Sequence, residues 1–470
     1  MRSFSLPLRL AAAAAVASSL LIGSLMPVAA ASHPGSFPTG MTRFGALTYF
    51  AADTANHGRE LWVTDGTAGG THEVADINVG GSSNPPGYIS SNPSSFNVIN
   101  GLLTFVADDG AAGGGSRLWA TDGTALGTYK IPTSTPPYRL TNVNGTLFFM
   151  QNNTVWTSDG TVGGTQPIEA LSATDISEAV AFAGKYYLLL SQAGIGGDSW
   201  WLWKSDGTAA GTHSVKRLVP PGSHFEPWYL VRSGNFLYFI LDDQDFAGGE
   251  HPASELWRSD GTNAGTKQVI DINADAPDGV DDLTNVSGTL FFTADLDGDR
   301  ELWSSRGTSA TTIRVADINA AGSSDPGALT RVGKGLFFRA DDGSGRDLWR
   351  SRGTTNNTFK VDSAAPFECA AFDFDCYFYD YAPAALGALC IFPSAHGGKG
   401  IELWVSDGTD AGTFMVMNIN PGTAHSRPSN FSASGGVMYF VANDGSHGRE
   451  LWVTNGTAPG THLVKDINPG

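Results

Sequence analysis

The segment Glu60–Asn78, ELWVTDGTAGGTHEVADIN, carries a Trp-Val-Thr-Asp-Gly-Thr core that recurs, with changes, nine times between Trp62 and Thr457. The motif tryptophans are Trp62, Trp119, Trp156, Trp203, Trp257, Trp303, Trp349, Trp404 and Trp452. Their spacings of 57, 37, 47, 54, 46, 46, 55 and 48 residues define a unit of about 48 with loops of varying length. A period in this range specifies a solenoid, a propeller or an array, because each unit hides its apolar faces against its neighbours.

The content of the unit decides among these. In the last unit, Pro428–Gly470, a short strand at Asn430–Ala433 precedes the apolar run Gly436–Val441. That run matches Gly145–Met150, Gly288–Thr293 and Gly335–Arg339, and its successive apolar positions predict a strand covered on both faces. A Gly/Asp/Asn turn leads to Glu450–Thr454, and another leads to Thr461–Asp466. Four short strands with frequent turns and no helical periodicity predict an all-β chain of propeller blades. A β-solenoid is the competing architecture, with shorter coils and more regular loops. Nine units fit one ring of eight or nine blades, and two smaller rings remain an alternative.

Within the motif, Trp, a Ser or Thr two residues later, Gly, Thr and a further Thr persist in every copy. A strand Trp in every unit predicts blade-to-blade packing, with a ring of sugar-stacking platforms as the functional alternative. Asp-Gly-Thr is turn chemistry. The Asp becomes Arg306 and Arg352 in two units and Asn455 in the last, and in the two Arg units a later Gly becomes Thr311 or Asn357. The paired changes point to an Asp and a Gly that shape one turn, and Arg excludes a cation there. Asp76, Asp271, Asp317 and Asp466, with Asn418 in kind, stand at the exit of the fourth strand and predict an Asx-type turn.

The chain of 470 residues carries a formal charge of −18, or −20 without Arg2 and Arg9, and shows no basic stripe. That balance disfavours nucleic acid and anionic lipid as partners. Residues 1–31 read as an export signal: Arg2 and Arg9, the apolar run Leu10–Met26, then Ala29-Ala30-Ala31. Residues 32–40 read as a linker or first loop and 41–470 as one repeat domain, with a non-repeating insertion at about 361–389. No later apolar run is long enough to cross a membrane as a helix. The expected product is exported, secreted or periplasmic, and monomeric.

Loops between second and third strands vary most, from Gln151–Thr154 to Leu241–Glu255, and are natural places for binding. Asp295-Leu296-Asp297-Gly298-Asp299-Arg300-Glu301 concentrates four carboxylates, which suits either a Ca²⁺ loop or an acidic hairpin turn. Cys369 and Cys376 predict a local disulfide, and Cys390, aligned with Met438, a buried free thiol. Phe372, Phe374, Tyr377, Phe378, Tyr379 and Tyr381 suit a binding patch or a small satellite core. His57 and His447 share one repeat position, and His72, His213 and His462 another, so repeat phase accounts for them. There is no GxSxG elbow, HExxH, phosphate-binding glycine loop or CxxC pair, so the sequence nominates no catalytic, cofactor or metal residue.

GRELWVTDGTAGGTHEVADIN, SELWRSDGTNAGTKQVIDIN, IELWVSDGTDAGTFMVMNIN and GRELWVTNGTAPGTHLVKDINPG resemble the bacterial repeat-protein family named after its ELWxxDGT motif. The resemblance covers essentially the whole mature chain and implies an exported, propeller-like protein without an assigned activity. The expected function is a non-enzymatic scaffold whose loops bind protein or carbohydrate. The alternatives are a secreted glycan hydrolase or lyase with its site at the ring's mouth, or a Ca²⁺-stabilised adhesin.

Overall fold

The computed structural model describes residues 35–79, 90–111, 115–194, 197–220, 225–243, 253–273, 279–362 and 382–469. All lie in the compact unit His33–Gly470. The leader 1–31, the Cys369 and Cys376 pair, the aromatic run 372–381 and most of the loop after Leu241 fall outside the described residues.

Nine four-stranded antiparallel sheets follow one another along the chain, forming a nine-bladed β-propeller. Blades 1 to 9 span 39–75, 94–131, 138–170, 173–217, 225–268, 281–314, 327–362, 384–417 and 429–465. The ends of the expected insertion belong to the ring: Phe359–Asp362 closes blade 7 and Ala384–Leu386 opens blade 8. In blade 9 the strands Ser429–Ser434, Val437–Asn443, Arg449–Thr454 and His462–Lys465 fall within two residues of the sequence-based bounds. Among the described residues no helix is long and apolar enough to cross a membrane.

Each first strand packs against the first strands of both neighbouring blades, so the nine first strands make the inner wall. Blade 9 meets blade 1 in the same way, which closes the ring. The second strands are the most deeply covered, as their unbroken apolar runs predict: Tyr49, Phe50, Ala51 and Ala52 are all buried. Directly across from the motif Trp stands Phe50, Phe105, Phe149, Phe239, Phe292, Phe338, Phe392 or Phe440, each fully buried, with Leu188 taking the place in blade 4.

The apolar clusters lie between blades rather than within them. Trp62 and Phe50 of blade 1 pack with Tyr439, Val441 and Leu451 of blade 9. Leu302 and Val315 of blade 6 pack with Phe338 and Trp349 of blade 7. Fully burying one such aromatic is worth about 1.5–3 kcal/mol. The Trp therefore serves the packing role read from its repetition.

Candidate functional site

The repeated polar residues serve the scaffold first. In blade 1, Asp65 Oδ1 accepts from the Thr67 amide at 2.8 Å and the Thr67 hydroxyl at 2.7 Å. The Gly70 amide donates to Thr67 Oγ1 at 3.0 Å, and Thr71 Oγ1 lies 2.7 Å from Thr64 Oγ1. The same bonds recur around Asp122, Asp159, Asp206, Asp260, Asp407 and Asn455. The Thr67 hydroxyl and amide hold the Asp65 carboxyl below its ordinary range. A Cβ on Gly70 would sit 2.1 Å from Asp65 Oδ1, which explains why Asp and Gly change together. In blade 6 the Thr308 and Thr311 hydroxyls, 2.8 Å apart, replace the carboxylate, and in blade 7 Asn357 Nδ2 donates to Thr354 Oγ1 at 2.9 Å.

The motif Glu, read in the sequence as an ordinary strand residue, forms a clasp between blades. Glu60, Glu301, Glu402 and Glu450 are fully buried. Glu60 accepts from the Ile77 amide at 2.9 Å, the Ser91 amide at 2.8 Å and the Ser91 hydroxyl at 2.6 Å, and Ser91 leads into blade 2. Ser324 and Ser426 repeat the hydroxyl bond to Glu301 and Glu402, each at 2.6 Å. Ser36 donates to Glu450, so the segment before blade 1 completes the circle. Burial pushes Glu60 and Glu450 up to about 7 despite these donors.

At the fourth-strand exit, the Asn two residues beyond the Asp makes a turn-fixing bond, and of the residues expected to form Asx turns Asn418 bonds within its turn, to Gly422. Asn78, Asn319, Asn420 and Asn468 donate to the carbonyls of Ser90, Ser323, His425 and Gly35. Asp76 and Asp466 keep one buried oxygen each without a partner, and Asp317 pairs with Arg314 at 3.1 Å.

Asp295–Glu301 is a two-residue hairpin in which Leu296 faces Asp299 and both Asp297 and Gly298 take positive φ, 58° and 80°. That is the Asp-Gly turn such a strand pair favours. Asp295 accepts from the Gly298 amide, whereas Asp299 and Glu301 both face Arg314 Nη2, at 2.7 and 3.8 Å, and Glu301 is also clasped by Ser324, so the chain's own arginine supplies the positive charge for this pair. The one group of described His, Cys, Asp or Glu side chains close enough to share an ion is His57, Glu73 and Asp76. His57 pairs with Glu73 at 2.9 Å and His447 with Asp444 at 2.7 Å, and each carboxylate raises the pKa of its imidazole. Cys390 is fully buried in Leu389–Ser394, and burial pushes its thiol up.

Chemistry that does not repeat gathers on one side of the inner wall. A bulge interrupts the first strand in most blades, and its first residue takes positive φ: Gly40, Ser95, Arg139, Tyr229, Asp282, Ala328 and Asn430. Bulges re-aim side chains and mark functional positions in sheets. Blades 7, 9, 1 and 2 place small or neutral residues there, whereas blades 3, 5 and 6 place Arg139, Tyr229 and Asp282.

Trp228 and Tyr229 are 43% and 47% exposed, on a wall whose other large side chains are mostly covered. Burial, the Asp281 carboxylate, Asp282 and Glu178 push the Tyr229 phenol up to about 12, which places one aromatic among three carboxylates from blades 4 and 6. Burial and the neighbouring Asp281 raise Asp282 to about 6, with Arg300 opposing them. Arg300 is held by the Gly279 carbonyl and Thr293 Oγ1, both at 2.5 Å, and stands 3.9 Å from Asp281. Exposed aromatic faces flanked by carboxylates offer stacking and hydroxyl recognition together. Trp228, Tyr229, Asp281 and Asp282 carry no signal in the sequence, because the bulge position shares no residue type among blades.

No family model and no curated protein matches this sequence. Among solved structures, a eukaryotic initiation factor shares 9% identity over 83% of this chain and 89% of that one, with a TM-score of 0.50. A puromycin hydrolase shares 13% identity over 75% of this chain and 58% of that one, with a TM-score of 0.39. The β-propeller domain of the Trilobed protease from Pyrococcus furiosus shares 11% over 80% of this chain and 99% of that one, with a TM-score of 0.38. This chain thus spans little more than half of the puromycin hydrolase chains it matches. At 9% identity the likeness to the initiation factor bears on the fold alone.

Proposed function

We propose that this chain is an exported, non-enzymatic propeller of the ELWxxDGT-motif kind that binds carbohydrate on its inner wall. The observation that carries the reading is the exposed Trp228-Tyr229 pair set against Glu178, Asp281 and Asp282. Aromatic faces take the apolar side of a sugar ring, and carboxylates accept from its hydroxyls. The repeated Asp, Glu, Thr and Trp residues are engaged in turns, clasps and packing, which leaves recognition to positions that differ between blades. The test is a glycan and protein array probed with the mature chain, with product analysis on every glycan bound. Binding without turnover supports the reading, and failure to bind any glycan overturns it.

A second reading, a glycan-active hydrolase or lyase, draws on the raised Asp282 beside Asp281. A carboxyl near 6 suits a general acid in such chemistry. Turnover abolished by Asp282→Asn, with the folding transition unchanged, would establish this reading in place of the first.

A further inference from the structure

The two motif copies that exchange Asp for Arg stand in adjacent blades, and their turns enclose a cleft of about 450 Å³ between blades 6 and 7. It lies at the Val286 end of the strand Asp281–Val286, the end opposite the inner-wall carboxylates. Arg306, Lys334 and Arg352 line it, Ile313 supplies an apolar wall at 48% exposure, and no carboxylate is among its lining residues.

Structural duty does not account for these cations. Their blades hold the motif turn through Thr308 with Thr311 and through Thr354 with Asn357, so the turn is complete without the side chain at the Asp position. Arg306 Nε makes one long bond, 3.3 Å, to Thr289 Oγ1. Among the described residues, the Arg352 guanidinium and the Lys334 ammonium have no hydrogen bond or ion pair. Several cations elsewhere on this chain pair with carboxylates: Arg59 with Asp53 at 2.9 Å, Arg314 with Asp299 at 2.7 Å, Lys360 with Asp347 at 2.6 Å. Three unneutralised cations around one cleft stand out on a protein of net charge −18.

We infer that this cleft binds an oxoanion group, a carboxylate, sulfate or phosphate, carried by a small ligand. Guanidinium forks pair with such groups bidentately, and Lys adds a point charge. The hydroxyls of Thr289, Ser304 and Thr354 can serve the rest of a polar ligand. The motif turns of the flanking blades 5 and 8 keep Asp260 and Asp407, so the exchange for Arg is confined to blades 6 and 7. This site is independent of the inner-wall reading.

The test is calorimetric titration of the mature chain at low salt with sodium sulfate, phosphate, glucuronate and, as neutral control, glucose. Saturable binding of at least one anion, weakened by salt, lost about tenfold or more in Arg306→Gln/Arg352→Gln and absent for glucose, supports the inference. A preference for glucuronate assigns an acidic sugar, and equal or better binding of sulfate or phosphate assigns the inorganic group. Lys334→Gln serves as a second variant should the double variant melt early. No anion binding, or binding unchanged in both variants, overturns the inference whether or not the inner wall binds a glycan.

Discussion

Ser36 Oγ lies 2.5 Å from Glu450 Oε2, and this bond joins residues 414 positions apart. The Ser36 and Phe37 amides both donate to the Arg449 carbonyl at 3.0 Å, and Asn468 Nδ2 donates to the Gly35 carbonyl at 2.9 Å. Among the described residues no strand is exchanged between the first and last blades, so this clasp and the cluster around Trp62 and Tyr439 hold the closure. Removing one partner of a buried hydrogen bond costs about 1–3 kcal/mol. Ser36→Ala is expected to destabilise the chain by about that much in urea, whereas Ser95→Ala, at an exposed bulge, leaves the midpoint unchanged.

The buried clasps also set a pH dependence. Glu60 and Glu450 are raised from 4.5 to about 7 in the folded chain. A raised carboxyl binds more protons folded than unfolded, so its contribution is full below about 4.5 and is lost as pH rises through 7. Each group accounts for roughly 3 kcal/mol across that window. Urea stability is therefore expected to fall between pH 5 and pH 8, with a shallower fall in Glu450→Gln. A rise over the same window would contradict the clasp account.

The Asp-Gly pair in the motif turn predicts a coupling. Gly70→Ala drives its methyl into the Asp65 carboxylate and is expected to cost about 1–3 kcal/mol, the range for overpacked sites. In an Asp65→Ala background the same change is expected to cost little. A double-mutant cycle by thermal unfolding measures the difference, and additive effects would refute the pairing.

Cys390 tests the apolar register of blade 8. Its fully buried thiol, with burial raising its pKa, is expected to resist alkylation in the folded chain and to react promptly in denaturant. Peptide mapping of the labelled site gives the answer directly.

What was legible in the sequence was local. The Trp, the Asp-Gly-Thr turn and the second Thr lie within ten residues of one another, so nine copies displayed their covariation, down to Arg306 with Thr311. The clasp was hidden because Glu60 finds Ser91 across a loop of changing length, and Glu450 finds Ser36 only after the ring closes. At the first fourth-strand exit Asn78, rather than Asp76, reaches Ser90; both are Asx residues, and only the fold distinguishes them. Trp228, Tyr229 and Asp282 fall at bulges, where an extra residue re-aims the chain without a sequence signature. Arg306 and Arg352 were visible as motif breaks, but their cleft exists only because blades 6 and 7 are neighbours in space.

The central claim is that repeated residues build the ring and non-repeating ones bind. Its most direct test compares Trp228→Ala and Asp65→Ala in titrations with a glycan selected on the array, alongside thermal unfolding. The account predicts that Trp228→Ala weakens binding about tenfold at an unchanged Tm, while Asp65→Ala lowers the Tm and leaves affinity intact. Glycan affinity lost on changing Asp65 and kept on changing Trp228 would contradict it.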